Sequence, residues 1–204
     1  MVLVNTPTRE SLRTRRRRET EREIHLAALH LVREHGFAKV TVDMISAEAG
    51  VSPRTFFNYF ASKDAALVQG PPHLSDDLAG AFLAAGPASP QQVMSELTRL
   101  LVRGLAEHPP QREELHTTFE LAHEHPQVLA TLLAQFDAFE VHIADLVAQR
   151  LGKQAGDEVP ALMAAVALAA VRQGLDRWAR APRDGSPVPY VEHSMDLLRT
   201  LLAP

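Results

Sequence analysis

Apolar residues recur at helical spacing along almost the whole 204-residue chain, and no run of alternating β-branched residues interrupts them. Stripes of that kind are buried helix against helix, so the expected fold class is all-α. Glycine and proline divide the pattern into segments. A polar start from Met1 to about Leu12 leads into a first helix, beginning near Arg13 or Thr20 and ending at His35. Ile24, Ala27, Ala28, Leu31 and Val32 share one stripe of it, and Gly36 supplies the stop. Thr41 caps a second, short helix that carries Met44, Ile45 and Ala49 inward, and Gly50 ends it. Ser52 caps a third, with Pro53 at its first position, where a missing N–H costs nothing.

A fourth helix is expected from Ser62–Lys63 to just before Pro71-Pro72. Helical segments follow at about 74–84, 90–107, 111–124, 126–151, 158–181 and 188–202. Their breaks fall at Gly86-Pro87, Pro109-Pro110, Pro126, the Gly152–Gly156 stretch and the Pro182–Pro189 stretch.

Composition narrows the function classes. A hydrophobic content of 46% is ample for a buried core. With no cysteine, neither disulfides nor thiolate chemistry can carry structure or function. The basic N-terminus leads into no apolar stretch, and the longest apolar run, Ala161–Val171, is short for a bilayer span. A soluble, cytoplasmic protein is therefore expected. Charge is unevenly placed. Residues 1–63 hold 11 Lys/Arg against 7 Asp/Glu, a net of +4, while the remainder carries a net of −8. A basic head on an acidic body suits a polyanion partner for the head, since neutralised phosphates release counterions; a solvated arginine run that only aids solubility would read the same.

The informative stretch is GFAKVTVDMISAEAGVSPRTFFNYFASK, from Gly36 to Lys63. Two short helices joined by a tight turn at Ala49-Gly50-Val51 form a helix-turn-helix plan, in which the second helix enters the major groove and the first crosses the backbone. Ser52, Arg54, Thr55, Asn58 and Tyr59 offer hydroxyls, a guanidinium, an amide and a phenol on an accessible surface, as base and phosphate contacts require. Val51, Phe56 and Phe60 are better placed to pack inward.

This segment resembles the DNA-binding domain of the TetR/AcrR family of bacterial regulators, through the pattern Thr41-Val42, Ile45, Ala49-Gly50-Val51-Ser52, Thr55-Phe56-Phe57, Tyr59-Phe60 and Ser62-Lys63. The resemblance implies a basic arm with a helix-turn-helix domain over 1–62, and a helical effector-binding and dimerisation domain over 63–204. It implies that Thr41 caps the second helix and touches a phosphate. Ser52, Pro53 and Arg54 would contact bases, Thr55, Tyr59 and Lys63 would reach phosphates, and Asn58 would face backbone or base. Phe57 stands where the family commonly has tyrosine; it loses a hydroxyl bond to phosphate but can press on a thymine methyl. Ahead of the domain, Arg13 and Arg15 to Arg18 can enter an adjacent minor groove or grip phosphates without sequence preference.

In the body, His116, Glu120 and His123 fall at i, i+4 and i+7. That spacing suits a divalent cation, but with no HExxH motif and no cysteine partner, no metal and no cofactor is expected. They read instead as the edge of a ligand cavity, with Phe119, Phe136, Phe139 and Trp178 as apolar lining or plain core. Ala167, Val171 and Gly174, with the stripe Val191, Met195, Leu198 and Leu202, suit a symmetric dimer seam built as a four-helix bundle, or packing within one chain.

No Gly-x-Ser-x-Gly, Walker loop, dinucleotide fingerprint or paired catalytic carboxylates are present, so an enzyme is not expected. The reading is a DNA-binding repressor, homodimeric on a palindromic operator and released by a small, largely apolar effector. A helical structural or interaction protein is the alternative, and would leave the polar, solvent-facing third helix unexplained.

Overall fold

The computed structural model describes residues 12–68, 74–154, 156–182 and 185–202, without the side chains of 12–15, 18 and 202. Ten helices and no strand are found among the described residues. They divide into two compact units, one running through Val68 and one starting at Gln69.

The N-terminal unit holds α1 (Leu12–His35), α2 (Val42–Glu48), α3 (Pro53–Phe57) and α4 (Lys63–Ala66). Serine and threonine caps fix its short helices. Thr41 Oγ1 accepts from Met44 N–H at 3.2 Å, Ser52 Oγ from Thr55 N–H at 3.0 Å and Ser62 Oγ from Ala65 N–H at 3.1 Å. Each such cap stabilises its helix by roughly 1 kcal/mol. The turn between α2 and α3 closes through paired bonds from Val51 N–H to Ser46 O and from Gly50 N–H to Ala47 O. That geometry places Gly50 at φ 66°, where a side chain would be strained. Ile24, Ala28, Ile45 and Phe56 are fully buried beneath it.

The division lies six residues later than the sequence suggested, and α4 is shorter. Ala66, Leu67 and Val68 are all buried. Three consecutive residues span about 200° of a helical surface, too wide for one face, so the chain leaves the helix to bury them.

The C-terminal unit comprises α5 (Asp76–Ala84), α6 (Pro90–Glu107), α7 (Arg112–Glu124), α8 (Pro126–Leu151), α9 (Glu158–Ala179) and α10 (Val188–Leu202). Helix α9 touches α6, α7, α8 and α10. It is apolar and long enough to cross a membrane by composition, but half of it is buried within the unit. Ala164, Ala167, Leu168, Val171 and Trp178 lie in the core with Leu97, Leu105, Ile143, Val147, Val191 and Met195. At Gly174 the backbones meet: a Cβ there would lie 2.6 Å from Val191 Cα. Arg150 is a buried cation. Its Nε donates to Gly86 O at 2.6 Å, one Nη to Phe82 O at 2.7 Å, and the other pairs with Glu96. It fastens the end of α5 and the flank of α6 to α8, its charge met by two backbone carbonyls and the Glu96 carboxylate, as burial of a charge demands.

Candidate DNA interface and effector site

The caps that start α3 also set its outward surface. Ser52, Pro53, Arg54, Phe57 and Asn58 are exposed, Thr55 and Tyr59 are half-buried, and Phe56 and Phe60 turn inward with ring centroids 5.9 Å apart. Ser52 Oγ lies 2.8 Å from Thr55 Oγ1, so the two hydroxyls form one polar edge. Arg54 makes no ion pair among the described residues, leaving a guanidinium open to an external acceptor. Phe57 is 58% exposed and meets the Phe56 ring edge-on at 5.4 Å. A bare phenyl ring on a surface otherwise made of hydroxyl, amide and guanidinium groups suits an apolar contact such as a thymine methyl.

The arginine run is partly resolved into structure. It continues α1, and the Arg17 guanidinium lies 5.2 Å over the Tyr59 ring, so the basic end of α1 and the end of the α3 segment share one face. Arg16 and Arg17 are exposed there. The side chains of Arg13, Arg15 and Arg18 lie outside the described residues.

Lys63 also has a structural task. Its Nζ donates to Phe37 O at 2.8 Å and Val40 O at 3.0 Å, and sits 4.4 Å from the Phe37 ring centroid. Two of its three donors therefore hold the α1–α2 connection against α4, and only one N–H remains for a phosphate. Thr41, which caps α2, is exposed. Sequence reasoning missed His25. Its Nδ1 donates to Ala66 O at 2.8 Å, tying α1 to α4, and the ring is 2% exposed. Burial lowers its pKa from the ordinary 6.5, the Ala66 bond opposes that, and Arg22 adds to the lowering. The signal was present: His25 shares a face with Ala28, Leu29 and Val32, all buried.

The residues named for a ligand lie in several places. Phe136 and Phe139 line an enclosed gap of about 20 Å³ with Leu101, Leu105 and Leu175, room for one water molecule. Phe119 and His123 line a separate open cleft of about 250 Å³ between α7, α8 and α9. His116 and Glu120 line neither; they pair with each other at 3.3 Å on the surface. Trp178 is also excluded from both. Its indole N–H donates to Gly185 O at 2.8 Å, its ring lies 5.2 Å below the Arg112 guanidinium, and it is 3% exposed.

The residues expected at a dimer seam pack largely within one chain. Ala167, Val171, Gly174, Val191 and Met195 are buried within the single chain, where α9 and α10 pack on each other. Leu198 is half-buried, and the Leu202 side chain lies outside the described residues. An amphipathic stripe reports that a face is buried, not which surface buries it. The large apolar side chains these helices leave exposed are Val159, Leu162, Leu197 and Leu201.

A capped helix-turn-helix carrying an open guanidinium and amide, followed by a separate helical unit, defines a DNA-binding transcriptional regulator. Residues 24–68 match the family of bacterial regulatory proteins named tetR, and residues 91–203 match the MftR C-terminal domain. The chain is 30% identical over 203 residues to the HTH-type transcriptional regulator TcmR of Streptomyces glaucescens, covering 96% of this chain and 89% of that protein. It is 28% identical over 188 residues to MftR of Mycobacterium tuberculosis, a regulator named for mycofactocin biosynthesis, covering 84% and 85%. Among solved structures, Thermus thermophilus FadR, a TetR-family repressor crystallised with lauroyl-CoA, aligns with a TM-score of 0.50 and 26% identity over 90% of this chain and 95% of that one. The chain belongs to the TetR family of transcriptional regulators, which are not enzymes.

Proposed function

We propose that this regulator is a homodimeric, cytoplasmic repressor that reads a palindromic operator with Arg54, Asn58 and Phe57 and releases it when a small, largely apolar ligand occupies the C-terminal unit. The observation that carries the DNA reading is the outward surface of α3, where an unpaired guanidinium, an amide and a phenyl ring stand together. Ser52, Pro53 and Thr55 open the same surface. Thr41, Tyr59 and Arg17 stand at positions suited to phosphate, and Lys63 has one donor left for it. An effector is supported by the size of the second unit and by the acyl-CoA held by the Thermus thermophilus repressor. The dimer seam is assigned to the outward faces of α9 and α10 at Leu162, Leu197 and Leu201, large apolar side chains that one chain leaves in water.

Selection from random duplexes tests this directly. It should return a motif with two related half-sites, and Arg54→Ala should relax preference at one position in each, at a cost of about 1–3 kcal/mol per site. Recovery of no enriched motif would refute sequence-specific repression.

A further inference from the structure

The cleft between α7, α8 and α9 has a floor and a rim of different chemistry. Phe119, Ala122, Leu129 and Leu132 form the floor, and Leu129 remains 43% exposed there although large and apolar. The rim is on α9, where Arg172, Asp176 and Arg180 follow one another at i, i+4 and i+8 and so lie along one face. Arg180 is already engaged: one Nη donates to Asp176 Oδ1 at 2.9 Å and lies 3.3 Å from His123 Nε2, which accepts from it. Arg172 has no partner among the described residues and is exposed at the mouth of the cleft.

Charge counting then selects the ligand. Two guanidiniums and one carboxylate leave the rim one positive charge in excess, carried by Arg172. A single open guanidinium matches a singly charged, planar, two-oxygen acceptor; a phosphate dianion would leave half its charge unmet. The apolar floor requires the rest of the molecule to be hydrocarbon, aliphatic or aromatic.

We infer that this cleft binds a carboxylate with an apolar body, its head group on Arg172 and its hydrocarbon against Phe119, Leu129 and Leu132. The inference rests on the reading of the C-terminal unit as an effector domain and adds the site and the ligand class. The carboxylate takes two N–H donors of Arg172, and its second oxygen faces the Arg180–Asp176 pair one turn further along. Binding therefore adds a charge-assisted contact to α9 while its chain fills the space between α7 and α8.

The probes are octanoate and 4-phenylbutanoate, each compared with its neutral alcohol, by calorimetric titration of the full-length protein. At least one carboxylate should bind about tenfold more tightly than its alcohol. Arg172→Gln should remove that preference while leaving the alcohol's affinity unchanged. Arg177→Gln, which deletes an equal charge on α9 outside the cleft, should change neither. Leu129→Gln, at a position 43% exposed, should weaken acid and alcohol alike. The inference is overturned if neither acid outbinds its alcohol, or if the preference survives Arg172→Gln. Operator binding without ligand is measured in parallel, so loss of the carboxylate site leaves the repressor reading standing, and loss of operator binding leaves the site standing.

Discussion

His25 offers a test of the N-terminal unit in which sign and ceiling are both fixed in advance. The ring is buried and neutral, with its Nδ1–H on Ala66 O, and burial holds its pKa below 6.5. In the unfolded chain it titrates near 6.5. A group whose folded pKa is depressed binds more protons when unfolded, so its contribution is present above pH 6.5 and is lost as the pH falls. The loss approaches 1.36 kcal/mol per pH unit between the unfolded and folded pKa values. From pH 7.5 to 5.5 the upper limit is therefore about 1.4 kcal/mol, which for a chain of this length lowers the melting temperature by about 3–6 °C.

Other histidines and carboxylates titrate in the same range, so the wild type alone decides nothing. His25→Gln keeps an N–H donor for Ala66 and cannot titrate. The quantity to measure is the stability lost between pH 7.5 and 5.5 by the wild type, minus the loss in the variant, each from urea unfolding followed by far-ultraviolet circular dichroism. It should be positive and at most about 1.4 kcal/mol. Equal losses in the two proteins would refute the argument, because a ring that is not held neutral has no linkage to supply. A negative difference would mean that His25 is charged in the folded state.

Lys63→Met should destabilise the N-terminal unit by about 1–3 kcal/mol, since two carbonyls lose a charged donor, and should also lower the salt slope of DNA binding by about 1 as its remaining N–H is lost to phosphate. Arg17→Ala should separate the two effects: unchanged stability, weaker binding to all sequences, and a salt slope lower by about 1, read by fluorescence anisotropy across a salt series. Gly174→Ala should cost about 1–3 kcal/mol in thermal unfolding or disrupt α9–α10 packing, because its Cβ would meet the backbone of Val191 rather than a side chain that can turn aside. Leu162→Glu and Leu197→Glu should each shift the protein from dimer to monomer in sedimentation, since an unpaired carboxylate at a seam costs several kcal/mol; an unchanged dimer would place the seam elsewhere.

What the sequence made legible was local. The helix starts at Pro53, Pro90 and Pro126, the caps at Thr41 and Ser52 and the stop at Gly152 all depend on chemistry within one turn, and all are where the spacing put them. What it hid depends on partners distant in the chain. The motif located Lys63, but the carbonyls it holds belong to residues 23 and 26 positions earlier. The stripe through Val191 and Met195 was visible, but not that α9 covers it. Trp178 reads from its apolar ring as cavity lining or core, whereas its indole N–H is fixed by Gly185 across a turn that no periodicity describes. The Arg172, Asp176, Arg180 series was readable at i, i+4 and i+8, yet it gained meaning only when α7 and α8 supplied an apolar floor beside it.

That placement bears on how a ligand could change DNA affinity. A ligand shifts a two-state protein only through its difference in affinity for the two states, and a hundredfold fall in operator affinity requires about 2.7 kcal/mol of such difference. The enclosed gap beside Phe136 and Phe139 has no room for a ligand, so occupying it would first require α6, α8 and α9 to part. The cleft is already open, and its rim belongs to α9, the helix whose Leu162 is assigned to the dimer seam. A carboxylate on Arg172 would act on a helix that reaches both places, and because the backbones of α9 and α10 meet at Gly174, a shift of the two together would alter the seam without separating them. On the proposed seam, the coupling would reside there. An uncoupled protein would bind the carboxylate equally well as a dimer and as a Leu162→Glu monomer, whereas coupling through α9 requires the two affinities to differ.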